Sequence, residues 1–443
     1  MTLDRDPAPI IVWFRRDLRL DDHPALTEAV ASGRPVIPLV VLDTRLDSSP
    51  TMGPRRRDAY QRAVVALDRD LRTIGARLIV RRGDPRAVVA GVAVETGAHE
   101  VLATRDVTPY GQLRDREIAV TVPLRLLPGT LVVDPELTGE VRVFTPFHRR
   151  WAERLTVLPV PAPTGIQVPP GIVSERLPDA EARGGPEALD HLHRFARERA
   201  RTYEASRNRL DLDGTSGLSQ ALHLGTLSAR RAVQAVDVEP FTRQLAWRDW
   251  AHHLLWFEPA IAGSPPERNR PEIAWRDDAA GIQAWKDGLT GYPTVDAAMR
   301  QLHAEGTMHN RARMIVASFL TKDLLVDWRV GAAHFLRELA DADVANNLLG
   351  WRWSAGVGHD AAPYFRIMNP SLQGERFDPN GAWVRRWVPE VAALPPKFVH
   401  RPWDTPGGPP SGYPAPIVEH SMARTRALEA FRGRTRYDDA RDR

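Results

Sequence analysis

The sequence predicts an α/β N-terminal domain built on a parallel, five-stranded, Rossmann-like sheet, joined by a long linker to an all-α C-terminal domain. Three observations carry this. Over the first 130 residues apolar runs alternate with amphipathic ones, the pattern of right-handed βαβ units. Residues 156–190 are rich in Pro, Gly and charge, as a surface linker is. From about Leu189 onward the apolar residues fall at helical spacing. The boundaries so drawn are 8–130 for the α/β domain, 131–190 for the linker and 191–435 for the helical domain.

Taken in order, Ile10 to Phe14 and Val36 to Leu42 read as buried strands. Asp58 to Ile74 is a helix with Val64, Leu67 and Leu71 on one side. Arg77 to Val80 is a short strand. Pro85 to Thr96 is a helix opened by proline and closed by Gly97. Val101 to Ala103 and Leu124 to Leu127 complete the strands. No GxGxxG follows the first strand, so a dinucleotide site there is unsupported. In the helical half, Val295, Ala298, Met299 and Leu302 form one apolar stripe, and Ala312, Ile315, Val316, Phe319 and Leu320 another.

The composition excludes several classes. The chain has 443 residues, 43% hydrophobic and 26% charged, so it is neither a disordered tail nor a fibre. Without cysteine it has no disulfide, thiolate metal site, Cys nucleophile or iron–sulfur cluster. No run approaches a membrane span and the N-terminus is unlike a secretory signal, so a soluble cytoplasmic protein is expected. The net charge is only +4, yet three lysines leave 57 arginines among the basic residues. This fits a phosphate-bearing partner, or codon bias in a GC-rich genome.

Four groups of residues could carry chemistry. In a helix, Asp343, Asn347 and Trp351 share a face, which suits a flat heteroaromatic ligand or, alternatively, a capping Asp with a core Trp. Gly214-Thr215-Ser216-Gly217-Leu218-Ser219 precedes a helical run and suits a pyrophosphate, or is an ordinary serine cap. Gln244, Trp247, Arg248 and Ala251 share a helical face that could line a pocket for a stacked base, or form a surface stripe. His252 and His253 read as incidental, with no third metal ligand at a useful spacing. Trp275, Trp328 and Trp351 stand far apart in sequence, and nothing in their spacing says they meet.

Longer motifs add a resemblance. IVWFRRDLRLDDHPAL (11–26), TSGLS (215–219), WKDGLTGYPTVDAAMRQL (285–302), MHNRARM (308–314), ASFLTKDLLVDWRVG (317–331), DAAPYFRIMNPSLQGERFD (360–378) and YPAPIVEH (413–420) resemble the DNA photolyase/cryptochrome family. Within it the chain is most similar to bacterial class I cyclobutane pyrimidine dimer photolyases. The resemblance implies a non-covalent FAD in the helical domain. Tyr203, Thr215, Ser216, Gly217, Leu218 and Ser219 would hold its phosphates. Phe241, Arg248, Asn310, Arg313, Asp341 and Asp343 would surround the ribityl chain and ring, with Asn347 facing flavin N5. Trp351, Trp328 and Trp275 would conduct electrons from surface to flavin. Gln244, Trp247, Met314 and Trp353 would form a dimer pocket, and Arg207, Arg311, Arg366 and Gln373 would meet DNA.

The implied activity is light-driven repair of pyrimidine dimers in double- or single-stranded DNA, by a monomer. A photosensory cryptochrome and a (6-4) photolyase are the alternatives. The sequence departs from the family at Gln244, where many relatives carry Glu, and at Gly217, Ala251 and Thr307. Tyr110 and Gly111 stand where a folate-type antenna is held by Asn-Glu, so a deazaflavin is expected over methenyltetrahydrofolate.

Overall fold

The computed structural model describes residues 7–155, 158–263, 273–360, 363 and 365–441. Positions 361, 362 and 364 of one quoted motif lie outside these. The chain divides into two compact units, each assembled from separate segments. The first takes residues 1–201, 216–259 and 340–345; the second takes 202–215, 260–339 and 346–443.

In the first unit five parallel strands, β1 (Ile10–Phe14), β2 (Val36–Asp43), β3 (Ile79–Gly83), β4 (Glu100–Thr104) and β5 (Leu124–Leu127), form one sheet in the order β3-β2-β1-β4-β5. Strand side chains alternate between faces. Ile10, Val12, Phe14 and Val40 enter one buried cluster; Ile11, Trp13, Leu39 and Val101 enter another. Apolar residues at every position therefore mark a sheet covered on both sides. The covering helices are α1 (Pro24–Ala31), α2 (Pro54–Thr73), α3 (Pro85–Thr96) and α4 (Pro109–Ala119). Each has proline in its first turn, where the missing N–H costs nothing. Gly97 ends α3 at φ 62°, as expected of a C-terminal glycine. Strand order reverses between β1 and β4, so their carboxyl ends open the crevice where such sheets place ligands.

The expected linker is largely tied down. Leu131, Val132 and Val133 are buried, and α5 (Phe144–Ala152) buries Phe144, Phe147 and Trp151. The reason is one carboxylate. Asp249, fully buried on α8 (Glu239–Phe257), accepts from the Val132 and Val133 amides at 2.8 and 3.1 Å and from the Trp151 indole at 2.9 Å. Further on, Gln167 O accepts from the Val36 amide and Val80 O from the Glu175 amide, so this stretch runs along strand ends. Asp249→Ala strands three buried donors, and is expected to cost about 3 kcal/mol, seen as an earlier thermal unfolding transition. The unit is completed by α6 (Gly185–Glu198) and α7 (Ser219–Leu224).

The second unit is helical: α9 (Ala279–Asp287), α10 (Pro293–Glu305), α11 (Asn310–Ser318), α12 (Trp328–Glu338), α13 (Val344–Ala355), α14 (Pro370–Phe377) and α15 (His420–Arg441), with shorter turns between. Both expected apolar stripes are buried. The second leaves the α-helix at Phe319, where a π-helical turn runs to Asp323. No helix among the described residues is long and apolar enough to cross a membrane.

Candidate functional site

Within the first unit α8 carries Phe241, Gln244, Trp247 and Arg248. Phe241 is buried against Phe195, ring centroids 5.4 Å apart. Trp247 stacks nearly parallel on Phe144 at 3.6 Å and meets Trp250 edge-on. One indole face is thus covered from within. Gln244 is half-buried one turn earlier. Arg248 donates to the carbonyls of Thr130 and Leu222, both at 3.2 Å, so its guanidinium fastens α7 to the segment after β5.

The loop feeding α7 has Gly217 at φ 66°, a conformation that disfavours any side chain. A Cβ there would also stand 3.2 Å from His191 Nε2, which donates to Ser216 O at 2.7 Å. The glycine that departs from the family form thus suits its backbone. Behind the loop, the first N–H groups of α7 have no partner inside the helix.

Asp343 directly precedes α13, which begins at Val344, and falls in the first unit, whereas Asn347 and Trp351 fall in the second. Its carboxylate meets Arg16 at 3.4 Å and His252 Nε2 at 3.2 Å, with His223 Nδ1 at 3.7 Å. Burial alone would raise its pKa; the charge of His252, bonds from His223 and His252, and Arg16 outweigh that and hold it well below the usual range. His252 is therefore not incidental. Nor is His253, which donates to Val133 O at 2.9 Å and faces the Thr138 hydroxyl at 2.8 Å. Sequence gave no sign of either role, since the partners lie about 90 to 120 residues away. Asp341 is buried nearby in sequence. Arg16 also reaches Asp106 at 3.1 Å, beyond β4. At this crevice Tyr110 donates to Asp43 at 2.6 Å, and a Cβ on Gly111 would overlap Asp106.

In the second unit Asn347 donates through Nδ2 to Ala332 O at 3.0 Å. A carbonyl only accepts, so the amide orientation is fixed and Oδ1 remains an acceptor. Trp351 is 2% exposed, edge-on to Phe335 at 5.0 Å and to Trp285 at 6.1 Å. Its ring lies against Gly331, where a Cβ would overlap it. Gly331 is one turn along α12 from Trp328, which is 3% exposed, and Arg352 lies over the Trp328 ring at 5.9 Å. Trp275 is half-exposed, packed edge-on to Phe431 at 6.2 Å; the amide of Arg276 donates to Leu325 O. The three tryptophans thus sit on neighbouring segments, with exposure rising toward Trp275.

A second group is basic. Arg311 donates to Asn208 Oδ1 at 2.7 Å and lies over Phe377 at 4.5 Å. Burial first, then the charges of Arg366, Arg207 and Arg376, make its proton less tightly held. Arg366 lies over Trp353 at 5.5 Å and Arg207 over Tyr203 at 5.7 Å. Arg376 was missed by sequence reading, although it lies one turn from Gln373 on α14 and its guanidinium covers Phe377 at 5.2 Å. His309 opens α11 by accepting from the Arg311 amide. Burial and the charges of Arg311 and Arg313 push it down to about 4, so it is neutral at pH 7. Asn310 is exposed, its amide 3.9 Å from Met314 Sδ, and Arg313 donates to Met308 O. Thr215 belongs to this unit, its loop companions Ser216 to Ser219 to the first.

Two family models match the chain: the FAD binding domain of DNA photolyase over residues 241–433, and DNA photolyase over residues 10–165. The deoxyribodipyrimidine photo-lyase of Streptomyces griseus is 42% identical, covering 96% of this chain and 99% of that protein. A solved structure described as a bacterial class III photolyase from Agrobacterium tumefaciens superposes with a TM-score of 0.90 at 36% identity, covering 98% and 100% of the two chains. An archaeal photolyase from Sulfolobus tokodaii, described with two FAD molecules, reaches 0.86 at 30% identity, covering 96% and 99%. Likeness of this extent runs through both units and both motif sets, and the chain belongs to the DNA photolyase/cryptochrome family.

Proposed function

We propose that the protein is a deoxyribodipyrimidine photolyase that binds FAD without a covalent bond and, in light, splits cyclobutane pyrimidine dimers in DNA. The observation that carries repair, rather than light sensing alone, is the convergence of Arg207, Arg311, Arg366 and Arg376 beside aromatic rings in the second unit. Four guanidiniums whose charges oppose one another suit several backbone phosphates. Trp353, under Arg366, supplies a ring for a base to stack on.

The residues suit FAD. Asn347 Oδ1 is left to accept a hydrogen bond, which fits the N–H of a reduced flavin ring. Thr215 to Ser219, with Gly217 at positive φ before α7, fit a pyrophosphate. Tyr203 would flank the phosphates. Asp343, ionised despite burial, and Asp341 would accept from donors of ring or ribityl chain. Asn310 and Arg313 would line the same ligand. Arg248 would act by holding α7, and Phe241 by filling the core beneath. Reduced FAD supplies a light-excited one-electron donor.

Gln244, Trp247, Met314 and Trp353 would receive the dimer, and Gln373 would join the arginines at DNA. Photolyases are among the enzymes known to take their target out of the base stack, which is cheapest for damaged bases. Trp351, Trp328 and Trp275 would return electrons to oxidised flavin. A second chromophore at the carboxyl ends of β1 and β4 would be a deazaflavin rather than methenyltetrahydrofolate. The test is repair of a dimer-containing oligonucleotide by reduced protein. Loss of dimers under blue light and none in the dark is expected; colourless protein that also refuses added FAD would overturn the reading.

A further inference from the structure

Two arginines of the second unit are held in different ways. Arg209 is held by a carboxylate, donating through Nε and Nη2 to the two oxygens of Asp211. Arg311, on α11, is held by an amide: its Nη2 donates to Asn208 Oδ1 at 2.7 Å. Its guanidinium lies over the Phe377 ring at 4.5 Å, and no carboxylate among the described residues pairs with it. The amide is itself well placed. The N–H groups of Arg207 and Arg209, on either side of Asn208, donate to Tyr203 O and Ser206 O. Leu210 N–H donates to Phe377 O at 2.8 Å, so the backbone that carries Asn208 is tied to the residue that carries the ring. A guanidinium only donates, so Oδ1 of half-buried Asn208 faces it and the Nδ2 N–H groups face away. No acceptor among the described residues takes them.

We propose that Asn208 and Arg311 form one seat for a single DNA phosphate, in which Asn208 aims the guanidinium through Oδ1 and donates to the same phosphate through Nδ2. This rests on the reading of Arg311 as a phosphate partner. The choice of an amide matters. A carboxylate at position 208 would grip Arg311 more strongly, but it would offset the cation and set an anion against the phosphate. An amide fixes the fork without neutralising it and adds a neutral donor beside the charged ones. Fixing the arginine beforehand also removes rotamer freedom that binding would otherwise have to freeze. The charges of Arg366, Arg207 and Arg376 bear on the same guanidinium, and a phosphate relieves that repulsion.

The experiment is titration of the purified protein with undamaged duplex at several salt concentrations, beside its thermal unfolding. Asn208→Asp keeps size and keeps the acceptor for Arg311, so the unfolding temperature should stay equal or rise. Affinity for duplex should nevertheless fall roughly eightfold near 0.1 M salt, with the slope of log affinity against log salt lowered by about 0.9. A merely structural contact predicts no such loss, because the contact is kept. Asn208→Ala leaves the charge of Arg311 in place and should weaken binding about fivefold with the slope nearly unchanged. An Asn208→Asp protein that binds duplex as tightly as the natural protein, or more tightly, overturns the proposal. If that variant does not fold, Asn208→Ala decides, and undiminished affinity there overturns it. Arg311→Ala in the same series separates the two readings. An unaltered salt slope there sinks Arg311 as a phosphate partner; a lowered slope, with both Asn208 variants silent, sinks only the shared seat.

Discussion

Trp351→Phe is expected to bring light-driven reduction of oxidised flavin to background, while chemically reduced protein still repairs dimers. The asymmetry follows from where the indole sits. Trp351 is buried on α13, one turn from Asn347, and its ring lies against Gly331 on the helix that Trp328 opens. On the proposed route it is the inner tryptophan, so no electron from Trp328 or Trp275 would arrive without it. Phenylalanine is smaller and still packs edge-on to Phe335 and Trp285, so the helix keeps its seat. Phenylalanine is, however, far harder to oxidise than an indole. On the proposed mechanism dimer splitting would draw on flavin directly and would not need these tryptophans. The measurement is the rate of flavin bleaching under illumination with an external reductant, beside single-turnover repair after chemical reduction. Unchanged bleaching would assign reduction to another route.

Neutralising the arginine cluster should have the second largest effect. Arg311→Ala and Arg366→Ala would each remove one proposed phosphate partner, so each should lower the slope of log affinity against log salt by about 0.9 on duplex DNA. Damaged and undamaged duplex should weaken alike, because phosphates carry no information about the lesion. Arg376→Ala should behave the same way, since its charge reaches Arg311. Trp353→Ala should differ, leaving the salt slope in place and removing about 1–3 kcal/mol of preference for damaged DNA. Binding titrations at several salt concentrations separate the cases. Interchanged outcomes would mean the stacking ring and the phosphate partners have been misassigned.

Much of the fold was legible because it rests on local pattern. Strands β1 and β5 lie where the apolar runs put them, and Gly97 closes α3 because only glycine takes a left-handed turn at no steric cost. The segment after β5 is held by a contact that local pattern does not display: Asp249 binds it, and Asp249 lies 117 residues beyond Val132. The same holds for His252 and Asp343. The Asp343 carboxylate meets Arg16, 327 residues earlier. The proposed role of Trp275, Trp328 and Trp351 comes from family resemblance, not from their spacing. Arg376 could have been found from its place one turn past Gln373.

The interleaving of the two units sets an order of events during synthesis. The sheet of the first unit is complete once Leu127 has emerged, yet that unit also needs residues 216–259 and 340–345. Until Asp343 leaves the ribosome, Arg16, His223 and His252 lack the carboxylate they share in the finished protein. At about 5–20 residues per second, that wait lasts several seconds after Phe257. The nascent chain therefore carries a preformed sheet beside an unfinished polar interior, and a stop codon anywhere before Asp343 would leave that interior permanently short of its anion.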